Sequence, residues 1–126
     1  MPNIKINNWP NFDSYQFDEV TKCWTKLIFD GGWGAHLGLS SYSSFPEGKD
    51  YTDYLHPESA VELYFVVAGE GFVFVEGNDA PIAISKGDAF AVPPVKRQLW
   101  SASDETTLDV LFVEMTGENA AVYPTE

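Results

Sequence analysis

The chain has 126 residues and a mass of 14.0 kDa, which fits one domain with a single hydrophobic core. Nineteen acidic residues against seven lysines and arginines give a formal charge of −12, which argues against nucleic acid or an anionic membrane as a partner. The 15% aromatic content excludes general disorder, and the single cysteine, Cys23, excludes an internal disulfide, so we expect a folded cytoplasmic protein.

The predicted elements are short strands that begin after an N-terminal arm. Residues 1–20 show no sustained apolar period, and we predict an arm there. The following runs are rich in β-branched and aromatic residues and are separated by glycine, proline and aspartate turns, which is typical of strands. These runs are Trp24–Phe29, His36–Ser40, Val61–Val67, Gly71–Glu76, Ala80–Ile84, Ala89–Val92, Arg97–Ser101 and Leu108–Glu114. Residues 116–126 form a polar tail.

The number of strands limits the architecture. Eight strands within residues 21–115, with no helical period, cannot lie in one open sheet, so they must close into a barrel or pair as a sandwich. The sequence predicts an all-β, single-domain jelly-roll β-barrel over residues 21–115. The run Leu63–Val67 is apolar on both faces, which favours a homodimer that packs through one sheet. Gly69-Glu70-Gly71 is interpreted as a hairpin turn.

One cluster can carry chemistry. His56, Glu58 and Glu62 are separated by even numbers of residues, so an extended backbone places all three side chains on one face. An imidazole and two carboxylates on one face can bind a divalent cation or a polar ligand. Two structural alternatives remain open, in which Glu62 pairs with His56 or both residues lie at a solvated rim.

The order of these segments resembles the two motifs of the cupin superfamily, G-x5-H-x-H-x3,4-E-x6-G and G-x5-P-x-G-x2-H-x3-N. His56, Glu62 and Gly69 match the first motif, and Gly87 and Pro93 match the second. The resemblance covers about residues 34–114 and implies a cupin barrel. Such barrels typically hold a metal through three histidines and a glutamate.

The motifs are degenerate where the metal ligands are expected. Glu58 stands at the second histidine position and Gln98 at the third, so the resemblance implies the ligand set His56, Glu58, Glu62 and Gln98. Such a set can hold Mn, Fe, Ni or Zn as a divalent cation. A metal-free polar pocket is an equal alternative, since only two of the four ligands of the family are present.

Three further residues are candidate pocket residues. Trp100 shares the parity of Gln98, and Tyr64 shares that of Glu62, so we expect both aromatic side chains to face inward, as pocket walls or as ordinary core. His36 replaces a missing imidazole if its face of the strand enters the barrel. It lies outside if Leu37 and Leu39 enter instead, and this second arrangement is favoured.

The remaining polar groups suggest no other chemistry. Cys23 is expected to be an inert buried thiol. Lys96 and Arg97, the only basic pair, are expected in a solvated turn, or at the rim where they would attract an anionic ligand. No catalytic residue is assigned. Three functions remain open: a metal-dependent enzyme acting on a small oxygenated substrate, acid or sugar-like; a metal-free module that binds or senses a small molecule; and a purely structural barrel.

Overall fold

The computed structural model describes residues 16–18, 23–30, 35–48, 50 and 61–115. These residues form nine strands: β1 (Gln16–Asp18), β2 (Cys23–Asp30), β3 (Ala35–Tyr42), β4 (Glu62–Ala68), β5 (Glu70–Val75), β6 (Ile82–Ser85), β7 (Ala89–Val92), β8 (Arg97–Ser101) and β9 (Leu108–Met115). All eight predicted runs are strands, with ends that differ by a few residues. In this part of the chain there is no helix with the length and apolar character needed to cross a lipid bilayer.

The strands form two antiparallel sheets. The larger sheet has the order β1-β2-β3-β9-β4-β7, and the smaller has the order β6-β5-β8. Strands that follow each other in the chain often lie in different sheets, so the connections cross between layers as they do in a jelly roll. The predicted all-β jelly-roll fold is confirmed.

The burial pattern of β4 identifies the face that points into the barrel. Tyr64 and Val66 are buried, whereas Leu63 and Phe65 between them are 40% and 45% exposed. We call the face of the larger sheet that carries Tyr64 its inner face and the opposite one its outer face. The core between the two sheets is an apolar cluster of Cys23, Tyr42, Tyr64, Val66, Val73, Ile84, Val92, Leu99, Leu108 and Val110.

The connection between β4 and β5 differs from the predicted hairpin. The two strands belong to different sheets, so Gly69 carries the chain from one layer to the other. Its φ of +87° lies in the region that favours glycine. Gly71 follows at a close approach, where a Cβ atom would collide with the backbone carbonyl oxygen of Trp100. The two glycines therefore permit a tight crossing that larger residues would block.

Part of the predicted N-terminal arm belongs to the larger sheet. Residues 16–18 form β1, which pairs with the start of β2, and the ring of Phe17 packs edge-on against Trp24 with centroids 5.3 Å apart. This strand was missed because three residues are too few to show a period of two. Residues 1–15 and 19–20 of the arm and the predicted tail, 116–126, lie outside the described residues.

Candidate functional site

A buried ion pair crosses the barrel between the two sheets. Glu62 begins β4 on the inner face, and Arg97 begins β8 in the opposite sheet. Nη2 of Arg97 donates a hydrogen bond to Oε1 of Glu62. The Arg97 side chain is 0% exposed and that of Glu62 is 9% exposed. Two charges this deeply buried require each other, because either one alone would carry a large desolvation cost.

Tyr64 completes a three-residue network with this pair. Nε of Arg97 donates to the Tyr64 hydroxyl at 2.9 Å, and the phenol hydrogen-bonds to Glu62. Burial raises the pKa of Tyr64 well above 10.0, and the Glu62 charge adds to this effect while Arg97 opposes it. The phenol is therefore a neutral donor toward the carboxylate at physiological pH.

A second polar group continues along the inner face. The Thr25 hydroxyl lies 3.3 Å from the Ser40 hydroxyl and 3.3 Å from the Cys23 thiol. Tyr42 follows Ser40 on the same face and hydrogen-bonds to it. Burial, helped by the nearby charges, raises the pKa of Tyr42 well above 10.0. The barrel interior therefore carries hydroxyl groups in addition to its apolar core.

His36 also lies on the inner face, against the favoured prediction. In the ladder of the larger sheet it pairs with Glu114, which in turn pairs with Glu62 on β4. Nε2 of His36 is 3.9 Å from Oε1 of Glu114, with the two side chains 32% and 26% exposed. Gly38 lies on the same face as His36, and a Cβ atom there would collide with the ring of Phe112. This row is more open to solvent than the network of Glu62.

Gln98 and Trp100 lie on the other face of β8, so the prediction that they face inward with Glu62 is corrected. Successive residues of a strand point to opposite faces, and Arg97 points into the barrel. Trp100 instead packs against Phe45, with ring centroids 5.2 Å apart. Gln98 is paired in register with Phe74, which also packs against Phe45. Pocket candidates Tyr64 and His36 thus share the interior, while Trp100 does not.

The described residues do not fit a metal at Glu62. Of the four predicted ligands, Glu62 is bonded to a guanidinium and Gln98 lies on the opposite face of its strand, while His56 and Glu58 lie outside the described residues. In the part of the chain that the structure describes, no three side chains of His, Cys, Asp or Glu come together as metal ligands.

Arg97 is the main residue of this buried network that the sequence interpretation missed. It was expected in a solvated turn or at the rim, but it is fully buried. All five residues of β8 are buried, so no exposed position marks which face is inward. A charged residue at the start of a predicted strand was the one available signal, since a charge that a strand buries is nearly always paired.

Comparison with known proteins identifies the family. A family model described as a cupin domain matches residues 41–114, which is more than half of the chain. The chain is a cupin. No curated protein matches it closely enough to count as a relative.

Several solved structures share the fold of this cupin. An RmlC-like cupin from Shewanella frigidimarina is 17% identical and aligns with a TM-score of 0.66 over 95% of this chain and 97% of that chain. A predicted oxalate decarboxylase from Thermotoga maritima is 14% identical and aligns with a TM-score of 0.68 over 90% of this chain and all (100%) of that chain. At these identities the similarity extends to the fold alone.

Proposed function

We propose that this cupin binds a neutral, hydroxyl-bearing small molecule, sugar-like in its chemistry, at the inner face of the larger sheet. The main support is the combination of a closed Glu62–Arg97–Tyr64 network with the more open row of His36 and Glu114 beside it. Carboxylates, imidazoles and phenols can each hydrogen-bond to ligand hydroxyl groups, and such convergent polar groups beside apolar walls are usual in ligand sites.

The charge balance favours a neutral ligand over an acid. The Arg97 charge is already matched by Glu62, and Glu114 adds a negative charge at the more open end. The chain as a whole carries −12. A carboxylate ligand would meet this excess of negative charge, whereas a hydroxyl group can donate to Glu114 without electrostatic cost.

Thermal-shift screening tests the proposal. Neutral sugars and polyols are compared with carboxylates of similar size, and we expect only the neutral compounds to raise the melting temperature. Glu114→Gln should weaken the binding of a hit by at least about tenfold, because the anionic acceptor is lost. Glu105→Gln, at an exposed loop position, is the matched control and should leave the affinity unchanged. Binding restricted to anions, or binding indifferent to Glu114→Gln, would contradict the proposal.

The second candidate is a divalent-metal-dependent enzyme acting on a small oxygenated substrate. The inward position of His36 beside Glu114 favours it, because an imidazole and a carboxylate are suitable ligands for Mn, Fe, Ni or Zn. His56 and Glu58 would supply the further ligands. Elemental analysis of the purified protein separates the candidates: a stoichiometric metal that is lost on His36→Gln supports the enzyme, and metal-free protein that binds a neutral ligand supports the binding module.

We also propose that the protein is a homodimer. Leu63 and Phe65 on β4 are large, exposed and on the outer face, and the neighbouring strand β9 places the half-buried Leu111 and Val113 next to them in register. Exposed apolar side chains that are contiguous across strands are typical of subunit interfaces. A second copy of the chain, packed sheet to sheet, would remove this surface from water.

We also propose a cytoplasmic location without nucleic-acid or membrane partners, and the support for both is compositional. The chain has one cysteine and therefore no internal disulfide, and disulfides are typical of proteins in oxidising compartments; this supports a cytoplasmic location. The charge of −12 supports the absence of nucleic-acid and anionic-membrane partners.

A further inference from the structure

The carboxylate of Glu62 requires a positive charge. It lies on the inner face with a 9% exposed side chain, where water cannot stabilise its charge fully. A buried carboxylate stays ionised only when it is paired with a basic side chain, bound to a metal ion or held by several hydrogen-bond donors, and a positive charge is the strongest of these. The source of the positive charge therefore decides which chemistry this position can support.

Arg97 supplies that charge in a fixed form. A guanidinium stays protonated at every pH at which proteins are folded, and its planar donors hold a defined orientation. The orientation is secured at three points, because Nη2 donates to Glu62, Nε donates to Tyr64 at 2.9 Å and Nη1 donates to the Val95 carbonyl oxygen at 3.4 Å. Rotation away from Glu62 would break a connected set of bonds rather than a single one.

We propose that Arg97 is the permanent counter-cation of Glu62 and keeps divalent metal ions away from this carboxylate. A metal ion bound to Glu62 would lie beside the guanidinium, and like charges repel strongly where solvent is excluded. It would also compete with Arg97 for Oε1 of Glu62. The side chain that β8 sends into the barrel is thus a basic group in place of the imidazole that the cupin resemblance implies on this strand. The inference does not depend on which small molecule the barrel binds.

Cobalt binding tests this role of Arg97. Arg97→His exchanges the guanidinium for a metal-binding imidazole at the same inward position, and Arg97→Lys keeps the positive charge. Each protein is incubated with Co²⁺ and desalted, and its metal content and visible absorption are measured. We expect the wild type and Arg97→Lys to retain no cobalt that depends on Glu62. Arg97→His should retain about one equivalent, and Arg97→His with Glu62→Gln should lose it.

Each outcome decides the question. Cobalt that the wild type retains and Glu62→Gln loses would overturn the proposal, as would a folded Arg97→His protein without cobalt. Cobalt that is unaffected by Glu62→Gln binds elsewhere and supports it. If Arg97→His does not fold, the wild type and Glu62→Gln still provide the decisive comparison. Ligand binding is measured separately in metal-free buffer, so failure of the proposed function would not be mistaken for failure of this inference.

Discussion

The energetic role of the Glu62–Arg97 pair can be measured with a double-mutant cycle. Arg97→Met keeps much of the aliphatic volume but leaves the buried carboxylate without its counter-charge. Glu62→Met likewise leaves the fully buried guanidinium of Arg97 without its counter-charge. Removal of one partner from a buried pair costs about 3–5 kcal/mol, so each single variant should lose about that much of its unfolding free energy. This is a large share of the roughly 5–15 kcal/mol that stabilises an ordinary domain.

The double variant should be much less destabilised than the sum of the single ones. With both charges gone, the main remaining cost is the Tyr64 phenol, which loses both of its network partners. A buried hydroxyl without a partner costs about 1–3 kcal/mol. The coupling between Glu62 and Arg97 should therefore be at least about 3 kcal/mol, and adding Tyr64→Phe to the double variant should recover most of the remaining loss.

Urea unfolding followed by tryptophan fluorescence at one protein concentration provides the free energies. Lys96→Met is the matched control, because it removes a positive charge from the exposed neighbour of Arg97 and should change stability by no more than about 0.5 kcal/mol. The reasoning would be refuted if the two single losses added to within about 0.5 kcal/mol, or if Arg97→Met cost no more than this control.

Three further predictions concern the buried tyrosines, a glycine and the outer face. Burial raises the pKa of Tyr42 and Tyr64 above 10.0, so the free energy of unfolding should hold below pH 10 and fall above it, where these tyrosines ionise in the unfolded chain but not in the folded one. After a jump to high pH, the absorbance of tyrosinate should therefore rise in a slow phase that accompanies unfolding, and this phase should disappear when both residues are replaced by phenylalanine. Gly71→Ala should cost about 1–3 kcal/mol or more in urea unfolding, because the new methyl group meets backbone, and a loss under about 0.5 kcal/mol would contradict the packing. Phe65→Lys should convert a dimer to a monomer in light scattering, whereas a wild type that is already monomeric at micromolar concentration would refute the dimer.

The fold was predictable because it depends on local composition repeated along the chain. Eight runs of β-branched and aromatic residues correspond to β2–β9, and glycine, proline and aspartate turns separate them. The crossing at Gly69 was not predictable in the same way. A short glycine turn looks alike whether it joins two paired strands or carries the chain between sheets, and only the long-range pairing of β4 with β7 and β9 decides.

The site was predictable only on strands in which one face is buried and the other is exposed. On β4, exposed Leu63 and Phe65 alternate with buried residues, and the inward position of Glu62 agrees with the prediction. On β8 the residues of both faces are buried. The spacing of two residues correctly places Gln98 and Trp100 on one face, but it does not indicate whether that face points into the barrel. His36 was placed on the wrong face for a similar reason. Leu37 and Leu39 looked like core residues, and Leu39 is indeed buried, yet both lie on the outer face of the larger sheet.

The direction of β8 determines the chemistry of the interior. Had Gln98 pointed inward, Glu62 and Glu114 would share the inner face with a neutral amide, and two carboxylates would favour a divalent cation. With Arg97 inward, the negative charge of Glu62 is neutralised by a guanidinium that does not lose its proton. A guanidinium offers charge and fixed hydrogen-bond directions, but it has no open coordination position for a substrate oxygen. Which side chain of β8 enters the barrel therefore decides whether Glu62 pairs with a guanidinium or is available to a metal ion.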